Sequence, residues 1–326
     1  CCLALATAVI GLVALSSVPA NARDCSKAEA KTANDRLMAI EQSTTDQAAI
    51  LKRHLPFGIH KTTHAADTSP RNERLLLQDG YVMVYDGDLR TALWTTHRLD
   101  GADVTAGDDD TPVDCFRTDP RPPANQAATK ADYDEPIYDL GHMTNDRDLR
   151  DNLIEQLNTY VISNMSAQHC RFNRGIWLSL EDLGREWAEI YGTVYVTQGA
   201  IFDFNPRDAR DKDKSAGRIG ARNGKARVAI PSHYFKNFLR QDGDRWQSIT
   251  VMLENHNGPR GNSFQAVQPA LAEAIVGMAV VKERGEITLH PDLRESQVTE
   301  ATSFDGWDIS NSQGGLGSNF EGSCPH

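Results

Sequence analysis

Apolar and polar positions divide the chain into segments of two different periods. Residues 25–54 are rich in Ala, Lys, Glu, Gln and Leu and contain no Pro or Gly, which predicts one or two helices. Residues 55–75, with "LPFGIHKTTHAADTSPRNE", read as loop. In "YVMVYDGDLRTALWTTHRL" two apolar runs flank Asp86-Gly87-Asp88, the pattern of a β-hairpin. Residues 101–135 are acidic and Pro-rich and read as a long surface loop. A short β-rich run, "NTYVISNMS", occupies 158–166. From Phe172 a helical pattern runs to about Ile190, with Gly192 placed to end it. "TVYVTQGAIF" (193–202) reads as a buried strand, and "RVAIPSH" (227–233) and "WQSITVMLEN" (246–255) as further strands. The loop "HNGPRGNS" follows, then a helix over 267–277 and a Ser-, Gly- and Asn-rich tail from 301. No internal repeat is visible. Strands interrupted by helices predict an α+β fold with a single main domain over 61–300. An N-terminal helical extension (23–60) precedes it and the tail (301–326) follows.

Composition narrows this picture. With 40% hydrophobic and 24% charged residues over 326 positions, the chain can bury one large core or two small ones. Its net charge of -11 argues against a protein coated in nucleic acid, but a local basic groove is compatible with it. The opening run "CCLALATAVIGLVALSSVPANA" ends in the small-x-small pattern Ala20-Asn21-Ala22 and reads as a signal peptide spanning residues 1–22, its start truncated. A membrane anchor is the alternative, and the short run with a cleavage-like end favours the signal. The expectation is an exported protein, secreted or periplasmic, with no membrane attachment after cleavage. Cys25, Cys115, Cys170 and Cys324 remain, an even number that suggests two disulfides with three possible pairings. Cys25 with Cys324 and Cys115 with Cys170 is the pairing expected here, tying the termini and bracing the middle. No cysteine pair has zinc-finger spacing.

Three pieces in order carry candidate chemistry: "DLGH" at 139–142, "SNMSAQ" at 163–168 and "FNRGIWLSLEDLGREW" at 172–187. On a helix, Asn173, Trp177, Glu181 and Arg185 recur every four residues and form one slowly turning stripe. Trp177 can anchor the stripe in the core while Asn173, Glu181 and Arg185 face a common space. An amide oxygen and a carboxylate suit a hard cation such as magnesium, and an arginine suits a phosphate. A neutral imidazole at His142 can take a proton from water beside such a site. Taken singly, each residue has a structural alternative. Asn173 can cap a helix, Asn164 can end a strand through local backbone bonding, and Glu181 with Arg185 can form an exposed pair worth ~0.3–0.5 kcal/mol.

The ordered set "DLGH…SNMSAQ…FNRGIW…LE…R" resembles the active-site region of the DNA/RNA non-specific endonucleases, the secreted ββα-metal nucleases. The similarity continues through "YVTQGAIFD" and "VAIPSHYFKNFL", so it covers roughly residues 75–260. The resemblance implies a ββα-metal nuclease fold, a mixed or antiparallel sheet with helices packed on it. It implies a metal-dependent endonuclease that hydrolyses DNA and RNA with little sequence preference, using Mg2+, Mn2+ or another divalent ion. It makes His142 the general base, Asn173 the direct metal ligand and Glu181 the carboxylate that holds metal-bound water. Asn164 supports the histidine, and Arg185 lies near the scissile phosphate.

Two positions depart from the family pattern. Leu140 stands where the family often has arginine, and a second family arginine would fall near Asp114 in "DCFRTDP". Arg117, Arg121, Arg147 and Arg150 are nearby candidates to replace them. Between Phe204 and Val228 eight cations face three aspartates, with Gly217, Gly220 and Gly224 among them, which reads as a basic loop able to hold phosphates. Arg147, Arg218 and Arg222 are the substrate-contact candidates, with Arg260 as an addition. His60, His64, His169 and His233 read as structural or surface residues. The departures motivate one rival, a secreted nucleic-acid-binding protein whose nuclease site has decayed; a phosphoesterase for small substrates is a further, weaker one.

Overall fold

The computed structural model describes residues 22–63, 72–107, 112–202, 217–220, 227–256, 264–310 and 324. The signal-like run, His64, Arg222 and Arg260 lie outside the described residues, as does most of the basic loop. The first helices among the described residues are α1 (Lys27–Gln42) and α2 (Thr44–His54). Ser43 separates them: it closes α1, and its hydroxyl accepts the Asp46 amide to cap α2. Ala33, Leu37 and Ile40 form the buried side of α1.

The strands β1 (Glu73–Leu77), β2 (Val82–Asp86) and β3 (Thr91–Asp100) follow as an antiparallel meander. Tyr81, Met83 and Tyr85 enter one hydrophobic core, while Val82 and Val84 enter another on the opposite face. A sheet buried on both faces explains why this stretch is continuously apolar rather than alternating. After α3 (Gly101–Gly107) come β4 (Tyr138–His142), α4 (Leu153–Thr159) and β5 (Met165–His169). β4 and β5 pair antiparallel, with His142 opposite Met165 and Asp139 opposite Gln168.

A short helical turn over Cys170–Phe172 leads through a bulge at Asn173–Trp177 into α5 (Leu178–Tyr191). Gly192 ends that helix at φ 85°, a conformation that favours glycine. The chain then runs through β6 (Thr193–Ile201), β7 (His233–Asp242) and β8 (Arg245–Glu254) to α6 (Phe264–Glu273) and α7 (Met278–Gly285). The main sheet has the order β8-β7-β6-β3-β2-β1, antiparallel throughout. At its β8 edge Ile275–Val276 adds antiparallel and Val298–Glu300 adds parallel. The architecture is the α+β arrangement expected, with the β4–β5 ribbon and α5 lying over one face of this sheet.

Four expectations change. Residues 101–135 are not a surface loop: Val113, Cys115, Asp119, Ala127, Ala128 and Tyr133 are buried, and α3 opens the segment. Two of its buried carboxylates are matched inside the fold, Asp119 by Arg121 at 2.7 Å and Asp132 by Arg227 at 3.4 Å. The run 158–166 is mainly the end of α4 and a helical turn, and the strand starts only at Met165. The strand expected at 227–233 shrinks to Val228–Ala229, and the long strand begins after Pro231, which has no amide to give a ladder. The helix expected at 267–277 is displaced to Phe264–Glu273, and Ile275–Val276 takes an edge position on the sheet.

The disulfides are also paired differently. Cys25 joins Cys115, and Cys170 joins Cys324, with Cα–Cα separations of 5.1 and 5.8 Å. The short parallel pairing of Arg23–Asp24 with Val113–Asp114 brings Cys25 to Cys115, a contact that linear spacing does not reveal. Non-reducing peptide mapping should therefore recover Cys25–Cys115 and Cys170–Cys324. Removing the first with Cys25→Ser/Cys115→Ser should cost about 2–5 kcal/mol of unfolding free energy. Recovery of a Cys25–Cys324 peptide would contradict this arrangement.

Candidate active site

His142 is the last residue of β4, and its surroundings answer why a glycine precedes it. A Cβ on Gly141 would meet the Gln168 carboxamide at 2.2 Å, so only glycine lets that side chain cross the ribbon. Gln168 then donates from Nε2 to the His142 carbonyl at 3.3 Å. The imidazole itself packs edge-on against Tyr160, with centroids 4.7 Å apart, and lies 5.9 Å from the Phe116 ring. Its Nε2 is buried and has no hydrogen-bond partner among the described residues. Burial holds the imidazole below its ordinary value, against the opposing pull of Asp146 and Asp114. The ring is thus kept neutral near pH 7, the state a proton acceptor needs.

The chain just after His142 is clamped by Asn164. The Asn164 Oδ1 accepts the Thr144 amide at 3.0 Å, and its Nδ2 donates to the Thr144 and Thr159 carbonyls at 2.9 and 2.7 Å. Its own carbonyl accepts the Met143 amide. Asn164 is fully buried, and its side-chain hydrogen bonds all go to backbone groups.

Asn173 stands at the start of the bulged turn that leads to α5. Its Nδ2 donates to Asp139 Oδ2 at 2.9 Å, and Arg174 closes on the same carboxylate from Nε and a terminal nitrogen at 2.9 and 2.6 Å. The nitrogen end of the amide is therefore committed to β4. Its oxygen end accepts no hydrogen bond among the described residues. Gly175, with φ -120° and ψ -109°, interrupts the helix between Asn173 and Trp177, so the four residues do not form the regular stripe expected. Trp177 is fully buried, as anticipated for the anchor.

Glu181 and Arg185 lie beyond that bulge, and both are buried. They do not pair with each other. Glu181 Oε2 accepts from Asn145 Nδ2 at 2.5 Å, and its Oε1 is 3.8 Å from the ammonium of Lys236, itself buried over the Trp177 ring. Burial pushes the Glu181 carboxyl up, and Lys236 pulls it back. Arg185 donates to Asp148 Oδ1 at 2.7 Å and to Asp182, and Asp148 in turn meets His97 at 3.1 Å. Burial disfavours this guanidinium's charge, yet Asp148 and Asp182 outweigh it and hold the group protonated. With its terminal nitrogens on two carboxylates, Arg185 anchors the segment that follows His142 rather than pointing at a ligand.

The proposed replacements for the missing arginines are similarly occupied. Arg117 binds Asn34, the Leu157 carbonyl and Asn158, and Arg121 binds Asp119 and the Leu77 carbonyl. Arg150 pairs with Asp146 at 2.9 Å. Arg147 is exposed, 3.5 Å from Asp182. Arg218 is exposed on the short β-pair with Val228–Ala229, its guanidinium on the carbonyls of Asp88 and Arg227. His60 is a core residue, bonded to Thr197 and to the His290 amide. Asp139, Asn145, Asp148 and Lys236 were not singled out from sequence. The first three lie three residues before and three and six residues after His142, a proximity that was the one available signal.

The model of the DNA/RNA non-specific endonuclease family matches residues 60–276. The chain belongs to the DNA/RNA non-specific endonuclease family. Human mitochondrial Endonuclease G is 33% identical over 187 residues, covering 57% of this chain and 61% of that protein. Nuclease C1 from Cunninghamella echinulata var. echinulata is 32% identical over 171 residues, covering 52% and 66%. The chain thus spans less than two thirds of the length of either relative. A solved structure of an EndoG/EndoGI complex superposes with a TM-score of 0.60 at 20% identity, over 80% of this chain and 97% of that one, a likeness of fold.

The buried role of Arg185 makes a family-relevant prediction. Arg185→Met should destabilise the ligand-free protein by about 3–5 kcal/mol in urea unfolding, because it strands Asp148. Adding Asp148→Leu should recover part of that loss. A role confined to substrate contact would leave the stability of the ligand-free protein unchanged.

Proposed function

We propose that this family member is an exported, divalent-metal-dependent endonuclease that hydrolyses phosphodiester bonds in DNA and RNA with little sequence preference. The observation that carries the reading is the neutral, partnerless Nε2 of His142 on a ribbon stapled to Asn173 through Asp139. His142 takes the proton from an attacking water, and burial keeps it ready to do so. Asn164 and Gln168 hold its backbone in place.

The donor set fits a hard divalent ion, magnesium or manganese. Asn173 would hold it through the amide oxygen that Asp139 leaves uncommitted, and Glu181 would hold water of its shell. Bound there, the ion offsets charge building on the phosphate and the leaving oxygen. Arg185 acts by fixing Asp148 and the loop after His142, and Arg147 and Arg218, both exposed, remain candidates to meet phosphates. The apolar run ending at Ala22 and two disulfides support export to an oxidising compartment. Among the described residues no helix is long and apolar enough to cross a membrane.

Retention of base, amide and carboxylate together favours an enzyme over a binding protein with a decayed site. Incubation of the mature protein with plasmid DNA and RNA should give magnesium-dependent cleavage, and His142→Ala should lower it by about 10²–10⁴-fold. Full activity of that variant, or no cleavage by the wild type, would overturn the reading. The acid limb of kcat/KM should fall below pH 6.5, the imidazole's ordinary value, because the base must be unprotonated. Asp146 favours the imidazolium, so Asp146→Asn should move that limb to still lower pH; a shift upward would contradict the assignment.

A further inference from the structure

We propose that the cavity behind the main sheet, lined by His290, is a binding site for a small organic ammonium ion, a primary amine on an apolar chain. The proposal stands apart from the nuclease reading and uses none of its residues.

Consecutive residues of a strand point to opposite faces of the sheet. On β7, Lys236 reaches Glu181 on the catalytic face, and Asn237 reaches His290 on the other. Asn237 donates from Nδ2 to the hydroxyls of Ser248 and Thr250, at 2.8 Å each. Its Oδ1 is therefore the acceptor for His290 Nε2, 2.9 Å away. That bond fixes the tautomer: Nε2 carries the proton and Nδ1 the lone pair. The His290 amide donates to His60 Nδ1 at 3.1 Å, which anchors the residue in the left-handed region at φ 44°. Burial pushes the imidazole down to about 4, so the ring is neutral at physiological pH. His290 is 5% exposed, and its Nδ1 has no hydrogen-bond partner among the described residues.

The same residue lines a cavity of about 330 Å³ between α7, residues 288–293 and the edge strand Val298–Glu300. That volume falls within the ~300–1,000 Å³ of small-molecule sites. Met278, Leu289, Leu293 and Val298 give the walls an apolar surface, and Lys282, Glu295 and Glu300 supply the charges. Glu300 Oε2 accepts the Met278 amide at 2.6 Å. Glu295 has no ion-pair partner among the described residues.

These groups select the ligand. A buried lone pair calls for a donor. A neutral imidazole offers an anion no charge, and two carboxylates outnumber the one ammonium on the walls. His290, Glu295 and Glu300 are not gathered as the ligands of one metal ion. An alkylammonium satisfies each demand: it donates to Nδ1, its charge meets the carboxylates, and its chain covers the apolar wall.

Hexylamine and hexanoate are titrated into the wild-type mature protein in chelator. Binding is read by calorimetry and by long-range ¹H–¹⁵N NMR of the imidazoles. Hexylamine should bind at least about tenfold more tightly than hexanoate, a difference of ~1.4 kcal/mol. The His290 Nδ1 resonance should move on adding the amine, while those of His97, on the catalytic face, stay. Leu293→Trp, which fills the cavity, should abolish binding, and Glu295→Gln should weaken it about two- to fivefold. Melting temperatures check that both variants are folded. Equal binding of amine and carboxylate, no binding of either, or an unmoved His290 Nδ1 would overturn the proposal. So would amine binding that survives Leu293→Trp unchanged, as an amine held loosely by the acidic surface would show.

Discussion

The site depends on two polar staples between β4, with the loop after it, and the helix that follows β5. At one end Asp139 accepts from Asn173 and from Arg174. At the other, Asn145 meets the buried Glu181, and Asp148 meets Arg185 with both partners buried. Charge-assisted hydrogen bonds of this kind are directional as well as strong. Together they fix the start of the strand against the start of the helix, and the turn after His142 against the helix middle. The bulge at Asn173–Trp177 then lets the first staple form without disturbing the packing of Trp177.

The staples are supported from beneath. Thr144, whose backbone Asn164 clamps, donates its hydroxyl to Thr95 of β3, and Gln198 of β6 donates to Thr95. Lys236 of β7 pairs across from Gln198 in the sheet and brings its ammonium under Glu181. A row of polar side chains thus crosses an otherwise apolar sheet face directly below the site. Buried polar groups are costly when unmatched, so their concentration here marks the region that the fold is organised to hold still.

Much of this was legible in the sequence because it is local. The composition of 25–54, free of Pro and Gly, and the helical pattern from Phe172 ended by Gly192 mark helices, and Asp86-Gly87-Asp88 between apolar runs marks a hairpin. His142, Asn164, Asn173 and Glu181 stood out through their order and spacing. What could not be read depends on partners distant along the chain. Arg185 looked like a phosphate contact because Asp148, 37 residues earlier, was not visible as its partner. β7 was hidden by Lys236 and Asn237, polar residues whose burial is matched by Glu181 and Trp177 for the first and by Ser248, Thr250 and His290 for the second. The segment 112–135 looked solvated because the partners of its buried charges could not be read: Asp119 meets Arg121, Asp132 meets Arg227, and Arg117 binds Asn34 and Asn158. The disulfides followed the pairing of two short edge segments, which spacing does not encode.

The account reduces to one requirement: the amide oxygen of Asn173, freed by Asp139, and the neutral imidazole of His142 must serve one hydrated divalent ion and its phosphate. Crystals soaked in manganese and measured at the metal's absorption edge test this directly. The expected result is a single anomalous peak bound to the Asn173 amide oxygen, in a cleft that His142 also lines, with Asp139 still on the Asn173 nitrogen. A peak on other side chains, or an Asn173 amide turned away from it, would contradict the account.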